Sequence, residues 1–139
     1  MAARNPVQDY LRKRGCAEHV VRGGLAGLLE RWERVVDEVA AGYPLGLDDY
    51  LNDMDGRELI AAVLQLAAPR ERAAAAPRLA AADERLRGLV AAAPGCLWGA
   101  GAAKEHGWTP ERQWWYFTSP LHPGAQLRRD LGEVFSPPA

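Results

Sequence analysis

The sequence predicts a mostly α fold: a compact helical bundle of about four to five helices with an irregular C-terminal layer rich in Trp, Gly and Pro. Apolar residues recur at helical spacing through the first two thirds of the chain. Glycine or proline follows these stretches, and no second strand is visible to pair with the one β-prone segment. Of the 139 residues, 48% are apolar and 25% charged, so we expect residues 1–139 to form a single globular domain.

Two helices are predicted in the N-terminal third. The stretch from Pro6 to Arg14 suits one or two helical turns, because proline is favoured at the first helical position. From Ala17 to Ala41 the apolar residues keep a helical register, and Gly42 provides a C-terminal stop. Gly23 and Gly24 each lower helix propensity by about 1 kcal/mol, so the first two turns form either a separate element or a kinked start.

The next helical segment is acidic. A turn precedes it at residues 43–46, and Asp48 or Asp49 suits the N-cap position, where a carboxylate accepts hydrogen bonds from free backbone amides. Gly56 is expected to break or bend the segment, after which an apolar stripe continues to Pro69. One long helix and two short ones fit this pattern equally.

A fourth helix and a shorter last helix are predicted farther along. The alanine-rich stretch from Ala73 to Ala93 keeps a helical register, and Pro77 suits the first position of a helix that starts afresh there. Beyond Pro94 we expect irregular structure until a short helix from Ala125 to Phe135. The segment from Gln113 to Thr118 favours a strand, and we expect it to lie extended on the helical core.

Charge is distributed unevenly, although the net charge is only −1. Residues 37–58 hold seven acids and one base, whereas residues 4–22 hold five bases and two acids. This balance gives no general argument for binding nucleic acid or a membrane. No apolar run reaches the roughly 18 residues of a membrane span, and the N-terminus lacks the apolar core of a signal peptide, so the expected location is the cytoplasm.

The acidic segment is the main candidate site. Leu47, Tyr50, Leu51 and Met54 share one helical face, which predicts that Asp48, Asp49, Asp53 and Asp55 point away from the core. Such a surface would meet a basic protein. A solvated face with capping aspartates is the simpler interpretation. The residues predicted to bind a partner are Asp48, Asn52, Asp49, Asp53, Asp55 and Glu58.

Metal and catalytic interpretations receive less support. An EF-hand loop aligned on Gly56 would place Leu51 and Ala62 where an Asp and a bidentate Glu are required, so we predict no calcium site. Cys16 and His19 have the spacing of a zinc knuckle, but no second tight pair follows. No nucleophile motif accompanies the histidines. We therefore predict a non-enzymatic protein without a metal or other cofactor.

Five tryptophans, four of them in the C-terminal third, exceed what a core of this size needs. Tryptophan is enriched at interface hot spots, but large rings that fix a loop layer to an alanine-rich core are the simpler interpretation. Trp32, in the second helix, is expected to be core.

A further pattern extends through the acidic segment. Trp32 precedes Gly42-Tyr43, which lead into residues 49–58, read DYLNDMDGRE, and Ala82-Asp83-Glu84 and Trp114-Trp115-Tyr116 follow later. This arrangement resembles small bacterial immunity proteins. These are cognate inhibitors encoded beside toxins of contact-dependent growth inhibition and related polymorphic toxin systems.

The resemblance implies a cytoplasmic helical protein that binds one toxin domain and blocks its active site or substrate access. Toxins that act on RNA or DNA carry basic clefts, into which a rigid acidic helix would fit. Arg57 departs from phosphate mimicry and is expected to pair with Asp53. Two alternatives remain: a regulatory or scaffold protein that binds another basic protein, and a small enzyme or metal protein using Cys16, His19 or His106.

Overall fold

The structure, a computed structural model, describes residues 5–135. This part of the chain is mostly α-helical, which confirms the predicted fold class. A two-stranded antiparallel sheet and one 3₁₀ turn, Trp114–Tyr116, complete the fold. The helices and strands in chain order are α1 Pro6–Lys13, α2 Glu18–Ala41, α3 Leu47–Leu64, α4 Pro69–Arg87, β1 Val90–Ala92, α5 Ala100–His106, β2 Thr118–Pro120 and α6 Ala125–Val134.

Helix α2 is the central element and packs against α1, α3 and α4. Gly24 interrupts it with φ 58° and ψ −151°, a backbone conformation that only glycine adopts readily, so the kinked start is the observed alternative. At its middle Trp32 is 2% exposed, which confirms its core position. The described core is one continuous cluster of buried side chains built around this helix.

Helix α3 runs unbroken through Gly56, so the single long helix is the observed alternative and the chain does not break at this glycine. Its N-cap is Gly46, and neither Asp48 nor Asp49 provides the predicted side-chain cap. Asp130 of α6 takes that role from 83 positions away, because its Oδ2 accepts a hydrogen bond of 2.9 Å from the Leu47 amide. The first turn of α3 therefore depends on a distant element.

Helix α4 begins earlier and ends earlier than predicted. Pro69 occupies the first turn, and Pro77 lies inside the helix on an exposed face instead of starting a new one. The chain leaves the helix after Arg87 and forms β1, which pairs with β2 in a register that places Val90 opposite Pro120.

The C-terminal layer differs from the extended segment that the sequence predicts. Trp114 to Tyr116 form a 3₁₀ turn, and only the residues after Phe117 pair as a strand. Backbone hydrogen bonds from Ala93 N to Phe117 O (2.9 Å) and from Leu97 N to Tyr116 O (2.8 Å) hold this layer together. Among residues 5–135 no helix is long and apolar enough to cross a membrane.

Candidate functional site

The first turn of α3 presents the most open part of the acidic segment. Asp48, Asp49 and Asn52 are exposed, and their side chains make no hydrogen bond or ion pair within residues 5–135. We call these three residues the acidic turn. The opposite face of the same helix is buried, through Leu47, Tyr50, Leu51 and Met54. The helix therefore holds the two free carboxylates in a fixed position at the surface.

Asp53 is not the free surface carboxylate that the helical spacing predicts. Its side chain is only 14% exposed, and it accepts a 2.6 Å hydrogen bond from the Tyr43 hydroxyl. Arg31 of α2 lies 3.5 Å away on the other side. The turn before α3 folds back over this flank of the helix, so the buried face is wider than the apolar register indicates.

Three carboxylates contribute to a raised pKa of the Tyr43 hydroxyl. Burial is the largest cause that raises the pKa of Tyr43, followed by the hydrogen bond to Asp53 and the charges of Asp53, Glu38 and Asp49. The end of α2 and the start of α3 thus form one negative region. Within this region Arg31 offsets the negative charge of Asp53, whereas the carboxylates of the acidic turn have no ion-pair partner among the described residues.

Asp55 also departs from the predicted outward position. Its Oδ1 accepts hydrogen bonds from the Tyr116 hydroxyl at 2.5 Å and from Trp98 Nε1 at 3.1 Å. Burial and the contact with Asp55 raise the pKa of Tyr116, so that hydroxyl stays a donor. Asp55 therefore fastens the C-terminal layer to α3.

Arg57 does not pair with Asp53, contrary to expectation. It is 9% exposed and forms a two-pronged contact with Asp83 of α4, with Nε–Oδ1 3.1 Å and Nη2–Oδ2 2.9 Å. Its guanidinium also lies 4.4 Å from the ring centroid of Trp115. Trp32 Nε1 donates to the same Asp83 at 3.0 Å. Arg57 and Asp83 thus stabilise the fold and are not available to a partner.

Glu58, the last of the predicted partner-binding residues, lines a pocket of about 250 Å³. Its Oε2 is buried without a hydrogen-bond partner. Burial is the main cause that raises the pKa of Glu58, and the Asp55 charge adds to it, while Arg57, Arg14 and His106 act in the opposite direction. We call this cavity the Glu58 pocket.

Aromatic rings form one wall of the Glu58 pocket. His106 stacks on Trp108 with centroids 4.5 Å apart, and Trp108 lies 4.3 Å from the Tyr116 ring. Tyr10 and Arg14, at the end of α1, line the pocket as well. Sequence reasoning missed this wall and the α1 contribution, because the pocket brings together α1, α3 and the C-terminal layer, which are distant in the sequence.

The remaining thiols and histidines are dispersed. Cys16 and His106 share the Glu58 pocket, whereas His19 is exposed on α2 and Cys96 is buried. Within the described residues no three His, Cys, Asp or Glu side chains are arranged to hold a metal ion.

The tryptophans of the C-terminal third differ in how exposed they are. Trp114 and Trp115 are buried and Trp108 is half-buried, consistent with rings that fix the C-terminal layer to the helices. Trp98 is 43% exposed, although its Nε1 is bound to Asp55.

Two parts of the predicted site are open to a partner. One is the acidic turn, formed by Asp48, Asp49 and Asn52, and the other is the Glu58 pocket.

No protein-family model matches this chain, and neither the curated proteins nor the solved structures contain a significant match to it.

Proposed function

We propose that this protein is a non-catalytic, cytoplasmic immunity protein that binds and neutralises a cognate toxin domain through the acidic turn of α3. The main support is a pair of unpaired carboxylates, Asp48 and Asp49, held at the surface by a buried helical face. Two fixed negative charges without internal partners favour a basic binding surface. The resemblance in residues 49–58 supplies the class of partner.

The structure narrows the surface that this proposal uses. Asp53 and Asp55 are occupied by Tyr43 and Tyr116, so a partner meets chiefly Asp48, Asp49 and Asn52. Leu45, 47% exposed in the turn before α3, lies close in the chain and offers an apolar contact. An interface of charged residues around an exposed apolar side chain is a common arrangement in protein recognition.

A regulatory or scaffold protein that binds another basic protein would use the same acidic turn. Suppression of toxicity separates the two functions, because a scaffold protein would bind its partner without protecting a cell from a toxin.

The test pairs the protein with toxin domains encoded next to its gene. We expect a stable complex by calorimetry and rescue of cells that express the toxin. The double variant Asp48→Asn, Asp49→Asn should weaken binding at least about tenfold, mainly through slower association, and reduce the salt dependence of the rate. The matched control, Glu71→Gln with Glu84→Gln, removes two exposed charges from α4 and should leave the affinity unchanged.

Two outcomes would reject the proposal. One is absence of a complex at low salt with every neighbouring toxin domain. The other is a complex whose affinity is the same for the acidic-turn double variant and for the α4 control.

A further inference from the structure

Helix α5 is attached to the rest of the described chain by little buried surface. It buries none of its residues, whereas every other helix of residues 5–135 buries at least one. Ala102 and Ala103 are half-buried, and no α5 side chain makes a hydrogen bond or an ion pair with another described residue. The backbone hydrogen bonds of α5 stay within residues 96–108. Few contacts therefore oppose its local detachment.

A glycine with a positive φ lies at each end of α5. Gly99 has φ 102° and Gly107 has φ 69°, which are backbone conformations that glycine adopts readily. No atom lies within 4 Å of the position of a Cβ at either glycine, so the backbone has room to rotate there. The residues just outside are better held, because Leu97 is buried and Trp108 is half-buried. The segment able to move is therefore residues 99–107, which we call the α5 flap.

The α5 flap forms one side of the Glu58 pocket. His106, at the end of the flap, lines this pocket and stacks on Trp108 with ring centroids 4.5 Å apart. Tyr116 lies against the other face of the same indole, with centroids 4.3 Å apart. Both faces of Trp108 are therefore covered while the flap is closed. Movement of the flap would take His106 away, which would uncover one face of the indole and widen the mouth of the pocket.

We propose that the α5 flap detaches between Gly99 and Gly107 while the rest of the fold stays intact, and that this opening controls access to the Glu58 pocket. The closed form described above predominates, and the open form is a minor state of the free protein. In the open form His106 leaves the Trp108 ring, and the pocket is exposed to solvent on that side. Opening requires no toxin, so it is independent of the proposed function.

Hydrogen exchange of the full chain, followed by nuclear magnetic resonance, tests the opening. A detached helix of seven residues is too short to persist in water, so opening frees the Ala103 and Trp108 amides, which donate to Gly99 O and Ala103 O. We expect these amides to be protected at least about a hundredfold less than the Met54 amide in α3. Low urea concentrations should accelerate exchange in α3 but hardly in α5, because a local opening exposes little surface. Equal protection, or the same urea dependence, would overturn the proposal.

Two matched substitutions test whether the stacked ring holds the flap closed. His106→Gln removes the contact with Trp108 and should accelerate exchange of the α5 amides about two- to tenfold, the change expected from the loss of an aromatic pair. Lys104→Gln changes an exposed residue of the same helix whose side chain has no partner among the described residues, and it should leave the exchange rates unchanged. Equal effects of the two substitutions would show that the stack does not hold the flap.

Access to the pocket has its own readout in the natural thiol of Cys16. This side chain is half-buried and lines the Glu58 pocket together with His106. Its modification by N-ethylmaleimide, measured by peptide mass spectrometry, should accelerate in His106→Gln by the same factor as exchange in α5. The rate should stay unchanged in Lys104→Gln. Faster exchange in α5 with unchanged modification of Cys16 would show that the flap opens without controlling the pocket, and that part of the proposal would be wrong.

Discussion

The Asp83 carboxylate contacts two other helices at once. Asp83 lies on α4 and accepts hydrogen bonds from Trp32 Nε1 of α2 and from the Arg57 guanidinium of α3. Arg57 is 9% exposed, so loss of Asp83 would leave a buried positive charge without a partner. A single side chain thus joins the three main helices.

Asp83→Ala should lower the free energy of unfolding by about 3–5 kcal/mol, the range for breaking one side of a buried pair. Urea unfolding measures this loss. Asp37→Ala is the matched control, because the pair of Asp37 and Arg85 also joins α2 to α4 but both side chains are more than half exposed. That variant should lose at most about 1 kcal/mol. Equal losses would show that Arg57 is not held by Asp83.

Asp49 and Asp53 of α3 are both predicted by the helical spacing to face solvent, but charge reversal should affect stability differently at the two positions. Asp49→Lys changes an exposed side chain and should alter stability by about 0.5 kcal/mol or less. Asp53→Lys removes the acceptor of the Tyr43 hydroxyl and should cost about 1–3 kcal/mol in thermal or urea unfolding. A double-mutant cycle with Tyr43→Phe isolates the contact. If Asp53→Lys proves as mild as Asp49→Lys, the helix is rotated from the position described.

At the scale of elements, glycine has two opposite roles within α2. Gly24 has φ 58° and marks the kink, whereas Gly27 lies in regular helix with open space around the position of a Cβ. Gly24→Ala should cost about 1–3 kcal/mol, since an L side chain resists that conformation. Gly27→Ala should instead stabilise by about 0.4–1 kcal/mol. Thermal unfolding of the two variants compares them directly, and stabilisation by Gly24→Ala would indicate an unkinked helix.

The elements also show what helical periodicity can and cannot predict. Buried side chains recur along α2, and that repetition is visible in the sequence. Val90 continues the register of α4, yet it joins a strand whose partner is 30 residues away. Helix α5 buries none of its residues, so it has no apolar stripe to detect. Local periodicity reports neither distant pairing nor a helix without a core face.

The candidate site has the same division between local and distant information. Exposure of Asp48 and Asp49 follows from their helical position. Asp53 accepts a hydrogen bond from Tyr43, and Asp55 accepts hydrogen bonds from rings of the C-terminal layer. Neither contact is visible in the sequence around the two aspartates. The apolar register therefore predicted the helix correctly, whereas the acidic composition overestimated the number of free carboxylates on it.

At the scale of the whole molecule, Glu58 makes stability depend on pH in an unusual direction. Burial raises its pKa, so the folded state disfavours the ionised form. The folded protein is therefore penalised when pH rises above that pKa, and the penalty disappears where Glu58 is protonated in both states. Arg14, Arg57 and His106 reduce the penalty, and Asp55 increases it.

Glu58→Gln should consequently raise the melting temperature at neutral pH by no more than about 3 °C, because water screens a half-exposed side chain. The gain should vanish near pH 4, close to the ordinary range of a glutamate carboxyl. Melting curves of the variant and of the natural sequence across that range test this expectation. A difference that is constant with pH, or a loss of stability at neutral pH, would contradict it.

The hydrogen bond from the Leu47 amide to Asp130 links the acidic turn to the far end of the described chain. Gly46 carries no side chain that takes over this contact, and a Cβ there would approach Asp130 Oδ2 to 2.8 Å. The position of α6 therefore influences the position of the first turn of α3, and with it the affinity for a partner bound at Asp48 and Asp49. Residues that never touch the partner would then influence its affinity, and a search for affinity-altering substitutions should find some of them in α6.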